Sequence, residues 1–292
     1  MNRKSISAIL LVVLQSVLYG LGDPISKAAF ATVPLFRMLT LRYSIALAVM
    51  LTVFGKQIII GLKKSSWRDW IVPVLCMGGA YVANNVALLL TQATAVAFIR
   101  SLPTIIAPIL AFIVFRRKYS RTLILVQAFV VIGLYLLCCG RGGLGNGFGF
   151  GEAFAFLSAV LLACSLVFGE KSLDKVDPIT LTALQTFASA VMAILGMTFA
   201  GEVQTKPMTL PVWGIIIYLA VLCTVAGYLL QNLALKNIQA HTVAVVQCLC
   251  PVMTAVFSRF ILGEKLSLFG SIGAVLILVS LILAVYFDKP SE

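Results

Sequence analysis

Residues 81–102 read YVANNVALLLTQATAVAFIRSL, and residues 228–249 read YLLQNLALKNIQAHTVAVVQCL. The two segments align without a gap at an offset of 147 residues, and nine of the 22 aligned positions are identical. Because the chain has 292 residues, this offset is almost half its length. The duplication predicts two copies of one structural unit, an organisation typical of membrane transporters whose substrate site lies between the copies.

The composition is that of a membrane protein. Hydrophobic residues make up 61% of the chain and charged residues only 11%, and the mean hydropathy is +1.07. A soluble domain carries about 25% charged residues, so a soluble core could not absorb this apolar excess. The formal net charge of +12 does not indicate nucleic-acid binding, because the basic residues lie in short segments between apolar runs, where they face an anionic leaflet.

Ten apolar segments are long enough to cross a hydrocarbon core of about 30 Å as helices. They are continuous rather than alternating, which favours an all-α bundle over a β-barrel. The first run shows no convincing cleavage site, so we interpret it as an uncleaved span. The predicted spans are residues 6–25, 35–54, 70–90, 93–115, 123–139, 151–168, 179–199, 212–233, 242–262 and 268–287.

Five spans fall in each half, and an odd number requires the second half to be inverted relative to the first. Of the 22 basic residues, 14 lie in segments that are cytoplasmic if the amino terminus is inside, 4 lie in external segments and 4 lie within spans. This bias predicts that both termini are cytoplasmic. We expect a multi-pass protein of the plasma (inner) membrane of a prokaryotic cell, in contact with membrane lipids.

The two predicted five-helix repeats are residues 1–139 and 151–292, and residues 140–150 form an external glycine-rich linker. The linker contains the pattern G-x-G-x-x-G, which is typical of dinucleotide-binding loops. Such a loop needs a preceding strand and a βαβ unit around it, and this sequence predicts neither. We therefore predict no dinucleotide cofactor.

The residue types needed for catalysis do not occur together. The chain contains no Ser/His/Asp set, no paired carboxylates and no metal-ligand cluster at usable spacing. The seven cysteines fall inside or at the ends of apolar runs, which is typical of small buried side chains rather than of disulfides or metal ligands. The sequence predicts a protein that is not an enzyme, with no cofactor and no metal site.

Several motifs resemble the drug/metabolite transporter superfamily, and within it the ten-span EamA type. Residues 251–267 (PVMTAVFSRFILGEKLS) are similar to the family's proline-to-Gly-Glu segment between spans nine and ten, and residues 177–180 (DPIT) to the start of span seven. In the first half, Tyr19-Gly20, Lys27 and Arg42 resemble the family's aromatic-Gly, Lys and Arg pattern. The resemblance implies a secondary transporter that exports small organic metabolites such as amino acids, by alternating access around a central cavity.

Arg100 lies eight residues past Gln92, about 12 Å into the membrane at 1.5 Å per residue. An ionisable side chain at this depth costs about 2.5–3.5 kcal/mol on insertion scales, so it needs a stabilising partner. Two interpretations fit Arg100. It binds a substrate carboxylate or phosphate, or it forms a structural pair with a backbone carbonyl or an acidic residue. Its repeat mate Gln247 is neutral but can form hydrogen bonds.

Tyrosine and asparagine recur four residues apart in both copies, as Tyr81 with Asn85 and as Tyr228 with Asn232. Residues at this spacing share a helix face, and because polar side chains avoid lipid, both faces are predicted to point into the bundle. The faces either form hydrogen bonds between helices or form two walls of a cavity, with the tyrosines contacting the substrate.

Three further residues are candidates for coupling or gating. Asp23 shares a face of the first span with Tyr19, and it either binds a proton or cation or pairs with Lys27 one turn later. Arg42 has either a structural role shared by the family or a contact with substrate. His241 begins span nine at the cytoplasmic side, where it is either solvated or part of a gate.

The sequence therefore predicts a small-molecule substrate held in the middle of the bundle. Two other functions stay open, namely import of a cationic solute such as a quaternary amine by cation–π contacts to the tyrosines, and a channel or lipid-handling scaffold. A channel is disfavoured because the chain has no acidic ring or filter-like loop. The predicted substrate-binding residues are Tyr19, Tyr81, Asn85, Arg100, Tyr228, Asn232 and Gln247.

Overall fold

The computed structural model describes residues 3–91, 96–97, 99–116, 121–139, 149–202, 207–261 and 268–287. Most of the predicted linker (140–150) and the Gly-Glu motif at residues 263–264 lie outside these ranges. The described residues contain helices and no strand. The helices are α1 (Arg3–Ala29), α2 (Leu35–Lys64), α3 (Trp67–Leu90), α4 (Pro103–Phe115), α5 (Arg121–Cys139), α6 (Phe150–Ser172), α7 (Pro178–Phe199), α8 (Leu210–Leu235), α9 (Ala240–Ile261) and α10 (Leu268–Phe287).

The prediction of an all-helical membrane protein is confirmed. Among the described residues, seven helices are long and apolar enough to cross a membrane, namely α1, α2, α3, α6, α7, α8 and α9. Helix α4 and the Leu268–Ser280 part of α10 are shorter apolar helices. The count of ten spans and the cytoplasmic position of the termini stay predictions.

Helix α2 is longer than predicted. The predicted span ended at residue 54, but the helix continues to Lys64, so Lys56, Lys63 and Lys64 belong to a helix rather than to a loop. Apolar residues continue past residue 54, and Ile59 and Ile60 are exposed, as expected for side chains that face lipid. At 1.5 Å per residue, the 30 residues of α2 span about 45 Å, so one end extends beyond a 30 Å core.

The helices of the first half of the chain pack mainly against helices of the second half. Helix α3 packs along α6, α2 along α7, and α1 against α8 and α9, and each of these contacts joins a helix of the first half to one of the second. Helix α5 packs mainly against α10. The interface between the halves is therefore formed by α1, α2 and α3 of the first half and by α6, α7, α8 and α9 of the second.

Two helices of the second half are irregular near this interface. Helix α8 contains a π-helical segment, Leu219–Ala226, and α9 is interrupted at Cys248 between the segments Ala240–Gln247 and Leu249–Ile261. π-Helical turns often occur at functional sites, because the extra residue redirects side chains. The hydroxyl of Thr224 donates to the carbonyl of Leu219 at 3.0 Å and so satisfies a backbone group within the segment.

Candidate functional site

An ion pair between Arg100 and Asp23 lies at the centre of the bundle. Nη1 of Arg100 is 3.0 Å from Oδ2 and 3.3 Å from Oδ1 of Asp23, and the two side chains are only 12% and 18% exposed. The structure thus provides the acidic partner that one interpretation of Arg100 required. The predicted pair of Asp23 with Lys27 is not formed, because Asp23 faces Arg100 instead.

Two tyrosines pack against this ion pair, and a third packs against one of them. The guanidinium carbon of Arg100 lies 5.5 Å from the ring centroid of Tyr19 and 5.6 Å from that of Tyr81, which are cation–π distances. The ring of Tyr81 is also 5.0 Å from that of its repeat mate Tyr228. The tyrosines predicted from the two copies therefore meet in one aromatic cluster, formed by Tyr19, Tyr81 and Tyr228.

Two small cavities border the ion pair. The first, of about 30 Å³, is lined by residues that include Ser16, Gln247, Cys250, Pro251 and Thr254. The second, of about 10 Å³, is lined by residues that include Gly22, Ser26, Arg42, Asn84 and Asn85. Tyr19, Asp23, Tyr81 and Arg100 line both cavities.

The size of these cavities limits what they can hold. A cavity of about 10–15 Å³ on this scale holds one water molecule, so the first cavity accommodates only a few waters and the second about one. An organic solute therefore needs a rearrangement in which the ion pair or the surrounding helices move apart.

Gln247 belongs to a cluster of three amides. Its Nε2 donates to Oε1 of Gln231 at 2.8 Å and to Oε1 of Gln15 at 3.1 Å, and Nε2 of Gln15 donates to Gln231 at 3.0 Å. The Nε2 of Gln231 is buried without a hydrogen-bond partner. The cluster connects α1, α8 and α9 beside the first cavity and leaves one unused donor.

The two predicted asparagines have different environments. Asn85 lines the second cavity and donates to the carbonyl of Tyr81 at 2.8 Å. Asn232 donates to Thr182 at 2.9 Å and to Gln185 at 2.8 Å, both on α7, and it lines neither central cavity. Asn85 therefore fits the interpretation as a cavity wall, and Asn232 the interpretation as a hydrogen bond between helices.

Arg42 is 4% exposed and borders the second cavity. Its Nε donates to the hydroxyl of Thr224 at 2.8 Å, and its guanidinium carbon lies 5.3 Å from the ring centroid of Tyr43. Among the residues that the structure describes, Arg42 forms no salt bridge. Arg42 differs in this respect from Arg100, although both guanidiniums line the same cavity.

His241 is buried rather than solvated. It is 5% exposed at the start of α9, and its Nε2 lies 3.3 Å from the hydroxyl of Thr242. It lines neither central cavity. The interpretation of His241 as a solvated side chain is therefore wrong, because α9 begins inside the bundle, and a role in a gate stays a prediction.

Sequence reasoning missed several residues of the site, above all Gln15 and Thr224. Gln15 was detectable, because Gln15, Tyr19 and Asp23 are spaced by four residues and so share one face of α1. Thr224 carried no such signal. Its contact with Arg42 depends on the π-helical segment, which the apolar sequence around it does not indicate.

Acidic residues stabilise contacts at the ends of the bundle. Glu202 accepts hydrogen bonds from the backbone amides of Phe36 at 2.7 Å and Arg37 at 3.1 Å, at the start of α2. At another contact between the halves, Asp69 accepts a hydrogen bond of 2.8 Å from Lys175, which raises the pKa of this lysine. These contacts join the first half to the second outside the central site.

A model of the EamA-like transporter family matches residues 6–139 and 149–286, that is, nearly the whole chain. This chain belongs to the EamA-like transporter family. The resemblance to the drug/metabolite transporter superfamily is thereby confirmed, and the protein is a multi-pass membrane transporter.

Similar proteins agree with this assignment. An "Uncharacterized transporter" of Archaeoglobus fulgidus is 28% identical over 238 residues, which cover 78% of this chain and 79% of the relative. "Uncharacterized transporter YyaM" of Bacillus subtilis is 29% identical over 255 residues, covering 83% and 82%. One solved crystal structure matches with a TM-score of 0.79 at 17% identity, covering 95% of this chain and 96% of its own, and this likeness shows the fold.

Proposed function

We propose that this protein is a secondary transporter that exports small organic metabolites, such as amino acids, across the plasma (inner) membrane of a prokaryotic cell. In this proposal, residues 1–139 and 151–292 are two inverted five-span halves joined by an external linker, with both termini in the cytoplasm. The distribution of basic residues between the predicted loops, 14 against 4, supports this topology. The packing of helices of one half against helices of the other supports a site between the halves.

The observation that carries the proposal is the Arg100–Asp23 ion pair inside the aromatic cluster. An α-amino acid carries one carboxylate and one ammonium, which are the charge complements of Arg100 and Asp23. The solute can therefore exchange partners with the ion pair, so that its carboxylate binds Arg100 and its ammonium binds Asp23. Each buried charge then keeps a partner of opposite sign throughout binding, which avoids the penalty of an unpaired buried charge.

The packing supports alternating access as the mechanism. The cavities around the ion pair are too small for an organic solute, and they lie where α1 meets α8 and α9. A relative movement of the two halves opens this interface to one side of the membrane at a time. The tyrosine rings then cover the apolar parts of the solute, and the amide cluster with Gln247 offers hydrogen bonds to its polar groups.

Neutralising either member of the ion pair tests the proposal. We expect Arg100→Gln and Asp23→Asn each to lower the transport of a neutral amino acid about 10- to 100-fold, because each variant removes one charge-assisted contact. The measurement is counterflow of radiolabelled amino acid into proteoliposomes, normalised to the amount of folded protein. Matched controls are Arg259→Gln and Asp174→Asn, which change exposed residues outside the cavities. Transport that is equally fast in all four variants contradicts the proposed site.

One observation favours a second candidate function, the transport of an organic cation. The rings of Tyr19 and Tyr81 already accept a guanidinium at 5.5 and 5.6 Å, so they can accept a solute cation in place of Arg100. In that case Asp23 is the only charged contact that the solute needs. Transport of choline that persists in Arg100→Gln and is lost in Asp23→Asn identifies this function.

A further inference from the structure

We propose that Arg42 forms an anion-binding subsite, so that the transported solute carries a net charge of −1, with acidic amino acids as the simplest class that matches the whole site. This inference rests on the proposed function, because it adds a third contact to the site at Arg100 and Asp23. The proposed function requires a zwitterion. The new inference requires one more acidic group.

The charges around the two cavities do not balance. Among the described residues that line them, the groups with a formal charge at neutral pH are the guanidiniums of Arg42 and Arg100 and the carboxylate of Asp23. The site therefore has a net charge of +1. A zwitterion leaves this excess unchanged, whereas a solute with a net charge of −1 neutralises it.

Arg42 has donors that the protein does not use. A guanidinium carries five N–H donors, and the one side-chain hydrogen bond of Arg42 to the described part of the chain runs from Nε to Thr224. A buried charge without a partner of opposite sign is costly, and stable folds seldom contain one unless it is paired or functional. Tyr43 provides a cation–π contact but accepts none of the remaining N–H groups in a hydrogen bond.

Arg42 is held in place beside the cavity. The hydroxyl of Thr224 donates to the carbonyl of Leu219 and accepts from Arg42 Nε, so both of its hydrogen-bonding roles are used. The π-helical segment therefore positions the guanidinium through Thr224. A guanidinium fixed in this way binds a carboxylate with two parallel hydrogen bonds at little cost in conformational entropy.

A second group at the same cavity also lacks a partner. Asn84 is 3% exposed, lines the cavity with Arg42, and its Oδ1 is buried without a hydrogen bond. This oxygen can accept a hydrogen bond from the ammonium of a solute. An acidic amino acid thus has one group for each feature of the site, with its two carboxylates at Arg42 and Arg100 and its ammonium between Asp23 and Asn84.

Binding of isosteric ligands tests the inference with the wild-type protein alone. We expect glutamate to bind about 10- to 100-fold more tightly than glutamine, since the two ligands have nearly the same size and differ in the group that faces Arg42. The measurement is calorimetric titration of the purified full-length protein in detergent. Equal affinities for glutamate and glutamine overturn the inference, even where both ligands bind.

Variants of Arg42 assign the preference to this residue. We expect Arg42→Gln to lower the affinity for glutamate by the same 10- to 100-fold factor and so to remove the preference for glutamate over glutamine. Arg42→Lys keeps the charge, and we expect it to retain part of the preference for glutamate. If Arg42→Gln does not fold, Thr224→Val provides the test, because it removes the acceptor that fixes the guanidinium and should lower the affinity for glutamate selectively. The control is Arg259→Gln, and a glutamate preference that survives in the folded Arg42 or Thr224 variants contradicts the inference.

The inference and the proposed function fail in different ways. If glutamine binds as tightly as glutamate and Arg100→Gln weakens both, the zwitterion site stands and the subsite at Arg42 is wrong. If neither amino acid binds and choline does, the proposed function is wrong and the subsite falls with it.

Discussion

Asp23→Asn is expected to destabilise the protein by about 3–5 kcal/mol, and more strongly than Arg100→Gln. The variant leaves two guanidiniums, Arg42 and Arg100, around cavities that retain no carboxylate among their described lining residues. Removing one member of a buried ion pair lowers the free energy of unfolding by this amount, because the remaining charge stays poorly solvated. Arg100→Gln costs less, because it lowers the net charge of the groups that line the cavities from +1 to zero, whereas Asp23→Asn raises it to +2.

A double-mutant cycle measures this difference. The free energies of unfolding in mixed SDS micelles are compared for wild type, Asp23→Asn, Arg100→Gln and the double variant. We expect the double variant to be more stable than Asp23→Asn alone, because it removes the unpaired guanidinium together with its partner. The exposed replacements Arg259→Gln and Asp174→Asn should change stability by no more than about 0.5 kcal/mol.

Two outcomes contradict this interpretation. Equal losses in the two single variants mean that Arg42 does not share the electrostatic environment of Asp23. If the free energy of unfolding lost in the double variant equals the sum of the losses in the two single variants, Arg100 and Asp23 are not coupled.

The internal repeat made much of the central site predictable. Tyr81 and Tyr228 occupy equivalent positions in the two copies, and their rings lie 5.0 Å apart in the structure. Alignment of the copies shows which positions are equivalent, and packing of the two halves brings equivalent polar faces to the shared interface. Gln247, the repeat mate of Arg100, lines a cavity with Arg100 for the same reason.

The partner of Arg100 was not predictable from local spacing. Asp23 has a lysine four residues later, and this spacing favours an ion pair on an isolated helix. The pair that forms instead joins residues 77 positions apart. Lys27 lies in the last turn of α1, where a long side chain can extend toward the interface, whereas Asp23 is surrounded by other helices. Tertiary packing therefore decides between the two partners.

The duplication also predicted more symmetry than the structure has. Asn85 lines a cavity, but Asn232 bonds to α7 because Thr182 and Gln185 lie beside it. The π-helical segment of α8 has no equivalent that the described part of α3 shows. Differences of this kind depend on contacts with residues of other helices. The alignment of the two copies does not show these contacts.

Gly20→Leu is expected to have the second large effect, because α1 packs directly against α9 at Gly20. A Cβ atom on Gly20 would lie 2.3 Å from Cβ of Met253 and 3.0 Å from the backbone atoms C of Met253 and N of Thr254. Backbone atoms cannot rotate away, so the two helices must separate. Overpacking of this kind costs about 1–3 kcal/mol, and the further atoms of leucine add to it.

Separation of α1 from α9 also removes the site. Tyr19 and Asp23 are on α1, and Pro251 and Thr254 line the same cavity from α9, so we expect transport in proteoliposomes to fall below detection. The control is Gly214→Leu, since Gly214 is exposed on α8 and a Cβ there meets nothing within 4 Å. Gly20→Ala adds only the Cβ atom, so its stability and transport should fall between those of wild type and Gly20→Leu. If Gly20→Ala and Gly214→Leu behave alike, the contact between α1 and α9 does not hold the site together, because only the Gly20 variant introduces an atom between these two helices.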